Sequence, residues 1–156
     1  FDAVAAMLGL GSYNHFEAQL PMALEAIATA DVEDRYELEM FSPPGEPCRF
    51  ALGKTIRQLV SDVQNKVDAG IISAKFHNTL ADALLKLAKA ARESKNFNKV
   101  ALSGGVFCNH YLTNRLIKLL KKNSFSVLFN RNVPSNDGGI SLGQAAIAAK
   151  LAARIL

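Results

Sequence analysis

The stretch Lys99-Val-Ala-Leu-Ser-Gly-Gly-Val-Phe-Cys-Asn-His-Tyr-Leu constrains this chain more than any other. Val100, Ala101 and Leu102 form a short apolar run of the kind that makes a buried strand. Ser103, Gly104 and Gly105 break it, and two glycines permit positive φ and close approach of a ligand. Leu112, Leu116, Leu119 and Leu120 then recur on one helical face, with Arg115, Lys118, Lys121 and Lys122 off it. A strand, a glycine turn and a helix N-terminus with free N–H groups make a candidate anion site, usually for phosphate. A plain tight turn explains the same pattern.

Downstream, Ser126 to Phe129 reads as a second short strand and Asn130 to Asp137 as a polar loop. From Gly138 a last helix follows, with Ile140, Ile147, Leu151 and Ile155 as candidates for burial. Strand, helix, strand, helix reads as a right-handed crossover between parallel neighbours. Parallel strands are normally buried on both faces. Their carboxyl ends would carry both Ser103-Gly104-Gly105 and the Asn130–Asp137 loop, at the edge where open α/β sheets bind ligands.

Upstream, Asp2 to Leu10 and Glu17 to Ala30 read as helices. Tyr36 to Phe41 and Cys48 to Leu52 read as a hairpin around the turn Pro43-Pro44-Gly45-Glu46-Pro47. Ile56, Leu59, Val60, Val63 and Val67 recur at helical spacing, with Gly70 as the closing residue. Ser73 is the expected cap of a long helix running to about Lys95. Its apolar face is Phe76, Leu80, Leu84, Leu87 and Ala91; its wet face is Lys75, Asn78, Asp82, Lys86 and Lys89.

The chain has 156 residues, 49% of them hydrophobic and 21% charged, which fits one globular domain. Its net charge of +4 is spread, apart from Lys118, Lys121 and Lys122, which read as a solvated face. Without a dense basic stripe, nucleic acid is not the expected partner. Cys48 and Cys108 form no CxxC pair, so a cysteine-built zinc site is not expected. Neither a leader nor a membrane-length apolar run is seen, and the expected location is the cytoplasm. The chain starts at Phe1 inside a helical pattern, so it is expected to be a piece of a longer protein.

Single residues carry competing readings. Asp137, before Gly138-Gly139, reads first as an N-cap and second as a metal- or phosphate-linked carboxylate. Asn109 is a turn former or a donor–acceptor for a base or ribose. His77 sits at the border of its apolar face and reads as partly buried with one hydrogen bond. With no histidine at i+4 it makes no helical metal pair. His15 and His110 are isolated. Cys108 lies near a helix N-terminus that could activate it, but reads as a buried, inert thiol. Asp2 is an ordinary first-turn acid. No Ser–His–Asp order and no Walker A sequence is present.

Ala101-Leu-Ser-Gly-Gly-Val-Phe-Cys-Asn, Leu112-Thr-Asn-Arg-Leu and Val133-Pro-Ser-Asn-Asp-Gly-Gly-Ile-Ser-Leu-Gly-Gln together resemble one family. It is the HypF family of hydrogenase maturation carbamoyltransferases, in its C-terminal part. Phe1-Asp-Ala-Val-Ala-Ala-Met-Leu-Gly and Ala74-Lys-Phe-His-Asn-Thr-Leu-Ala extend the likeness over nearly the whole chain.

The resemblance implies an α/β fold: residues 1–156 as one lobe of a Kae1-like domain. Such domains belong to the actin-like, ribonuclease-H-like ATPases, and the lobe would be helix-rich with a small parallel or mixed sheet. It implies carbamoyl transfer from carbamoyl-adenylate, made from carbamoyl phosphate and ATP in another domain. The acceptor would be the C-terminal cysteine of a partner, HypE. Asp2 then matches a ribose-holding residue, Gly104 and Gly105 phosphate-binding glycines, and Asn109 a nucleotide contact. Asp137 matches a ligand of an iron or zinc ion.

Two features depart from the family. Its two-histidine metal motif and its phosphate loop are absent from the chain and would lie upstream. Glu17-Ala18-Gln19 stands where the family usually has Glu-Gly-Gln, so Ala18 is not assigned as a contact. Two other readings stay open: a lobe of a tRNA threonylcarbamoyl transferase, and a non-catalytic nucleotide-binding scaffold lobe. Phe76-His77 favours the hydrogenase-linked family over the tRNA enzymes.

Overall fold

A computed structural model describes residues 1–43 and 45–153 of the chain. Its spine is helix α4, Ala69–Lys95, 27 residues long and so about 40 Å from end to end. Asp68 starts it, its Oδ1 accepting from the N–H groups of Gly70 (2.9 Å) and Ile71 (3.3 Å). Asn96 ends it in the left-handed conformation, φ 55°.

Two apolar clusters sit along α4. The first joins Val4 and Ala5 of α1 (Asp2–Met7), Leu20 and Leu24 of α2 (Gln19–Ala26), Leu59 of α3 (Gly53–Gln64), and Ile72 and Phe76. The second joins Ala81 and Leu85 to Leu102 of β3 (Lys99–Leu102) and to Leu112, Leu116 and Leu120 of α5 (His110–Lys122). A hairpin of β1 (Glu39–Phe41) and β2 (Arg49–Ala51) is antiparallel, with Met40 opposite Phe50. In the expected Pro43–Pro47 turn, Glu46 N–H donates to Pro43 O at 3.1 Å, while Pro44 lies outside the described residues.

The expected crossover is present. Strand β4 (Ser126–Phe129) runs parallel to β3, with Val100 opposite Val127 and Leu102 opposite Phe129, and α5 joins them. Both strands lie in one two-stranded sheet. That sheet is covered on one face only. Leu102 is buried, but Ala101 is exposed and Leu128 is 56% exposed, so the expected burial of both faces is not met here.

Several upstream expectations need correction. Gly70 does not close α3; it lies in the first turn of α4, where a Cβ would stand 2.5 Å from both Ile27 O and Thr29 Oγ1. Close backbone approach, not helix termination, is the reason for that glycine. Ser73 is not a cap but a buried residue inside α4, donating to Leu24 O at 2.6 Å. Asn78 is not on a wet face: its Nδ2 donates to Val32 O (2.7 Å) and Asp34 O (2.9 Å), pinning the segment that covers it. Tyr36 precedes the strand, buried against the first cluster, with its hydroxyl donating to Asp62 at 2.9 Å.

The last helix, α6, spans Ile140–Ala152. Ile140, Ile147 and Leu151 are not buried; they are 54%, 64% and 55% exposed. Ile155 lies outside the described residues. Among the described residues, no helix is long and apolar enough to cross a membrane.

Candidate functional site

The carboxyl ends of β3 and β4 lie side by side, and the segments that leave them meet. Gly104 adopts φ 112° and ψ 160°, a conformation open to glycine and strained for other residues. Its N–H donates to Ser135 O at 2.8 Å. Cys108 Sγ lies 3.6 Å from Ser135 Oγ. The glycine turn and the 130–137 loop therefore form one edge, as the crossover pattern predicts. An open groove of about 410 Å³ runs between them, past Phe107, Thr113, Phe129 and Arg131.

The free donors are not where the sequence pattern puts them. At the start of α5, Glu25 Oε1 accepts from the N–H of His110 (2.6 Å) and of Tyr111 (3.1 Å), and Asn109 Oδ1 accepts from Leu112 N–H (2.8 Å). A protein carboxylate thus occupies the positive end of this helix dipole. Gly105 and Val106, which open a short 3-10 turn ending at Cys108, have no backbone or side-chain acceptor for their N–H groups among the described residues. They are the donors left for an anion.

Asn109 is tied to His77. Its Nδ2 lies 2.8 Å from His77 Nε2, and His77 Nδ1 lies 2.8 Å from Ser73 O. His77 is fully buried with both ring nitrogens hydrogen-bonded, not partly buried with one hydrogen bond. Burial pushes its pKa below the ordinary histidine value, against weaker opposing effects from Ser73 and Glu25. The Phe1 ring packs edge-on against His77 at 5.4 Å, which brings the N-terminal turn to this network. Next to Phe1, Asp2 accepts from Asn14 Nδ2 at 2.8 Å, and that hydrogen bond holds its carboxyl below the usual range. Asn14 Oδ1 accepts in turn from Leu20 N–H at 2.9 Å, so α2 orients the pair.

Asp137 is not the cap. Asn136 has that role, its Oδ1 accepting from Gly138 N–H at 3.1 Å. The Asp137 carboxylate has no hydrogen bond or ion pair among the described residues. Asp137 also stands alone as a metal candidate: no group of three His, Cys, Asp or Glu gathers among the described residues. A metal needs more donors than the described residues bring together. Cys108 is exposed rather than buried.

A family model, "Carbamoyltransferase, Kae1-like Domain, second subdomain", matches residues 1–144. The chain belongs to the HypF carbamoyltransferase family. It is 33% identical over 154 residues to the carbamoyltransferase HypF of Synechocystis sp., covering 99% of this chain and 19% of that protein. It superimposes with a TM-score of 0.88 and 42% identity on a crystal structure of full-length HypF in the phosphate- and nucleotide-bound form, covering 97% of this chain and 20% of that one. The chain thus spans about a fifth of the length of these HypF proteins. A shorter likeness, 36% over 81 residues, is to the tRNA N6-adenosine threonylcarbamoyltransferase of Ehrlichia ruminantium, covering 49% of this chain and 23% of that one. The helix-rich α/β lobe with small sheets is the Kae1-like subdomain of the HypF fold.

Sequence reasoning missed Glu25, Asn14 and the part played by His77. Glu25 reaches residues 85 and 86 positions away, which no local pattern reports. Ser73 and His77, four apart on a helix, did carry a signal, because i and i+4 share a face.

Proposed function

We propose that residues 1–156 form the second lobe of a Kae1-like domain in a larger carbamoyltransferase. The complete protein passes a carbamoyl group from carbamoyl-adenylate to the C-terminal cysteine of HypE. The thiolate attacks the carbamoyl carbon, the bond to the phosphate oxygen of AMP breaks, and a thiocarboxamide forms. The thiol proton leaves to solvent or a base, and AMP carries away the electron pair of the broken bond.

In this reading the nucleotide lies along the edge where Gly104 meets Ser135. The backbone N–H groups of Gly105 and Val106 donate to phosphate oxygens, which strengthens as charge develops on the leaving phosphate. Asp2, kept ionised by Asn14, accepts from ribose hydroxyls. Asn109 contacts the nucleotide through its amide. Asp137 supplies one ligand to an iron or zinc ion whose other ligands come from outside this chain; such an ion would polarise phosphate or carbonyl oxygens. No step above depends on it.

The observation that carries this reading is the junction of the two motif loops, Gly104 N–H to Ser135 O at 2.8 Å, with the next two N–H groups left without acceptors among the described residues. The test gives the complete protein ATP, carbamoyl phosphate and HypE, and follows HypE by mass spectrometry. A thiocarboxamide on its terminal cysteine is the expected product. The likeness to the tRNA enzyme over 81 residues motivates a second arm with threonylcarbamoyl-adenylate and tRNA. Modified adenosine there, with HypE untouched, replaces the first reading. Nucleotide binding without transfer to either acceptor leaves a scaffold lobe.

A further inference from the structure

Four groups form a chain of hydrogen bonds whose two ends are backbone atoms. Ser73 O can only accept, so His77 Nδ1, 2.8 Å away, carries the proton. His77 Nε2 is then a lone pair, and the group 2.8 Å from it on Asn109 must be the amide nitrogen. At the other end Leu112 N–H can only donate, so the group facing it at 2.8 Å must be Asn109 Oδ1. Both ends give the same orientation of the Asn109 amide, so it cannot be turned over without breaking two hydrogen bonds. Ser73 Oγ donates to Leu24 O at 2.6 Å, which leaves only its lone pairs facing His77 Nδ1 at 3.4 Å, in keeping with a proton on that nitrogen.

We infer that His77 is a positioning residue: it locks the Asn109 amide so that one N–H and one oxygen lone pair stay free for an adenine nucleotide. This rests on the nucleotide reading of Asn109 given above. Burial supports it by keeping His77 neutral, the only form with a lone pair on Nε2. A protonated ring would set donor against donor at Asn109. Glu25 on α2 is the charged side chain that acts on His77, and it opposes the effect of burial. The Tyr111 ring packs 5.2 Å away and adds no charge.

The experiment titrates the complete protein with ADP by calorimetry and follows the site that Asn109→Ala weakens. His77→Leu deletes the acceptor and keeps apolar bulk; it should weaken that site about tenfold, the size of one hydrogen bond. His77→Gln keeps an acceptor oxygen at similar reach and should restore affinity to within about threefold of the parent. In an Asn109→Ala background, His77→Leu should change nothing further. Equal losses in both backgrounds, or no rescue by glutamine, mean a merely structural residue and overturn the proposal. If Asn109→Ala weakens the site while His77→Leu binds as the parent does, positioning fails and the nucleotide reading stands. If Asn109→Ala weakens no site, both fall. Should the variants not fold, nitrogen-15 spectra of the parent imidazole decide: an Nδ1–H tautomer is expected, and an Nε2–H tautomer overturns the lock.

Discussion

Helix α4 buries Ser73, His77, Asn78 and Thr79, whereas α6 leaves Ile140, Leu142, Ile147 and Leu151 more than half exposed. The buried polar residues of α4 each have partners, with Asn78 Oδ1 the atom left without one: Ser73 with Leu24 O, His77 with Ser73 O and Asn109, Asn78 Nδ2 with Val32 O and Asp34 O, and Thr79 with Lys75 O and Tyr36 N–H. Polar groups are tolerated inside a protein on that condition. Helix α6 is the reverse, with every described residue exposed although its sequence is apolar on all sides. A helix of that composition suits surroundings on every side. The inner wall of the candidate site, with His77 and Asn109, is complete within this chain. The outer wall, beside Asp137, is open.

The comparison breaks first at Asp137. If the outer wall carries chemistry rather than stability, Asp137→Asn in the complete protein should cut carbamoyl transfer by at least about a hundredfold, roughly 2.7 kcal/mol. Bound metal should fall with it, because the substitution removes the negative charge a hard ligand offers. Carbamoyl-adenylate formation and melting temperature should be unchanged, since Asn136, not Asp137, accepts from Gly138 N–H. A variant that melts early but keeps metal and transfer makes Asp137 structural.

Glycines sharpen the same contrast. Gly70→Ala in α4 places a Cβ 2.5 Å from two oxygens of the α2 exit, so overpacking should cost about 2 kcal/mol. Gly143→Ala in α6 meets nothing within 4 Å and should stabilise the helix by up to about 1 kcal/mol. Urea unfolding of both variants reads the pair. Equal effects would mean that α6 is packed in solution as tightly as α4.

What was legible in the sequence divides along the same line. The β3–α5–β4 crossover and the meeting of its two loops follow from local pattern: three apolar residues, two glycines and a leucine stripe. The start of α4 departs from the local pattern because Gly70 looks like the end of one helix and Ser73 like the cap of the next. Their roles are set by α2, which packs on them from more than 40 residues away. Asn78 falls off the apolar stripe and is covered by a segment that helical periodicity does not know about. Candidate burial in α6 was inferred from composition, and composition does not say which neighbours are present. The free N–H groups were placed at α5 because Glu25 is silent in the sequence.

His77 gives α4 a pH dependence. Its ordinary pKa is 6.5 and burial lowers it in the folded state. Above that value the residue is neutral whether folded or unfolded and contributes nothing. As pH falls through it, the unfolded chain takes up a proton that the folded chain refuses. Stability should then drop by up to about 1.4 kcal/mol per pH unit, until the lower folded pKa is reached. Asp2, whose carboxyl is held below 3.8, acts only in a more acid window. Unfolding curves from about pH 7.5 to 5.5 should show the slope in the parent and lose it in His77→Gln. A slope that survives the substitution places the proton elsewhere.

The smallest expected effect is at Ala18, which lies just before α2 with φ 60° and ψ 20°. Left-handed backbone costs a residue with a Cβ roughly 1–2 kcal/mol, and glycine nothing comparable. Ala18→Gly removes that strain but frees the unfolded chain, which takes back about 0.4–1 kcal/mol. A net stabilisation of about 0.5 kcal/mol remains as the expected result. The backbone there is already in a glycine-like conformation, held by Met22 N–H donating to Ala18 O at 2.9 Å and Gln19 N–H to Phe16 O at 3.3 Å. The substitution therefore relieves strain without moving Asn14, whose carbonyl is fixed by Leu20 N–H. ADP affinity should consequently stay within about twofold of the parent, because Asp2 keeps its partner. A large gain in affinity with no gain in stability would instead mean that the Ala18 methyl group crowds the nucleotide. The wall that is complete within this chain would then include the 14–19 turn as a direct contact.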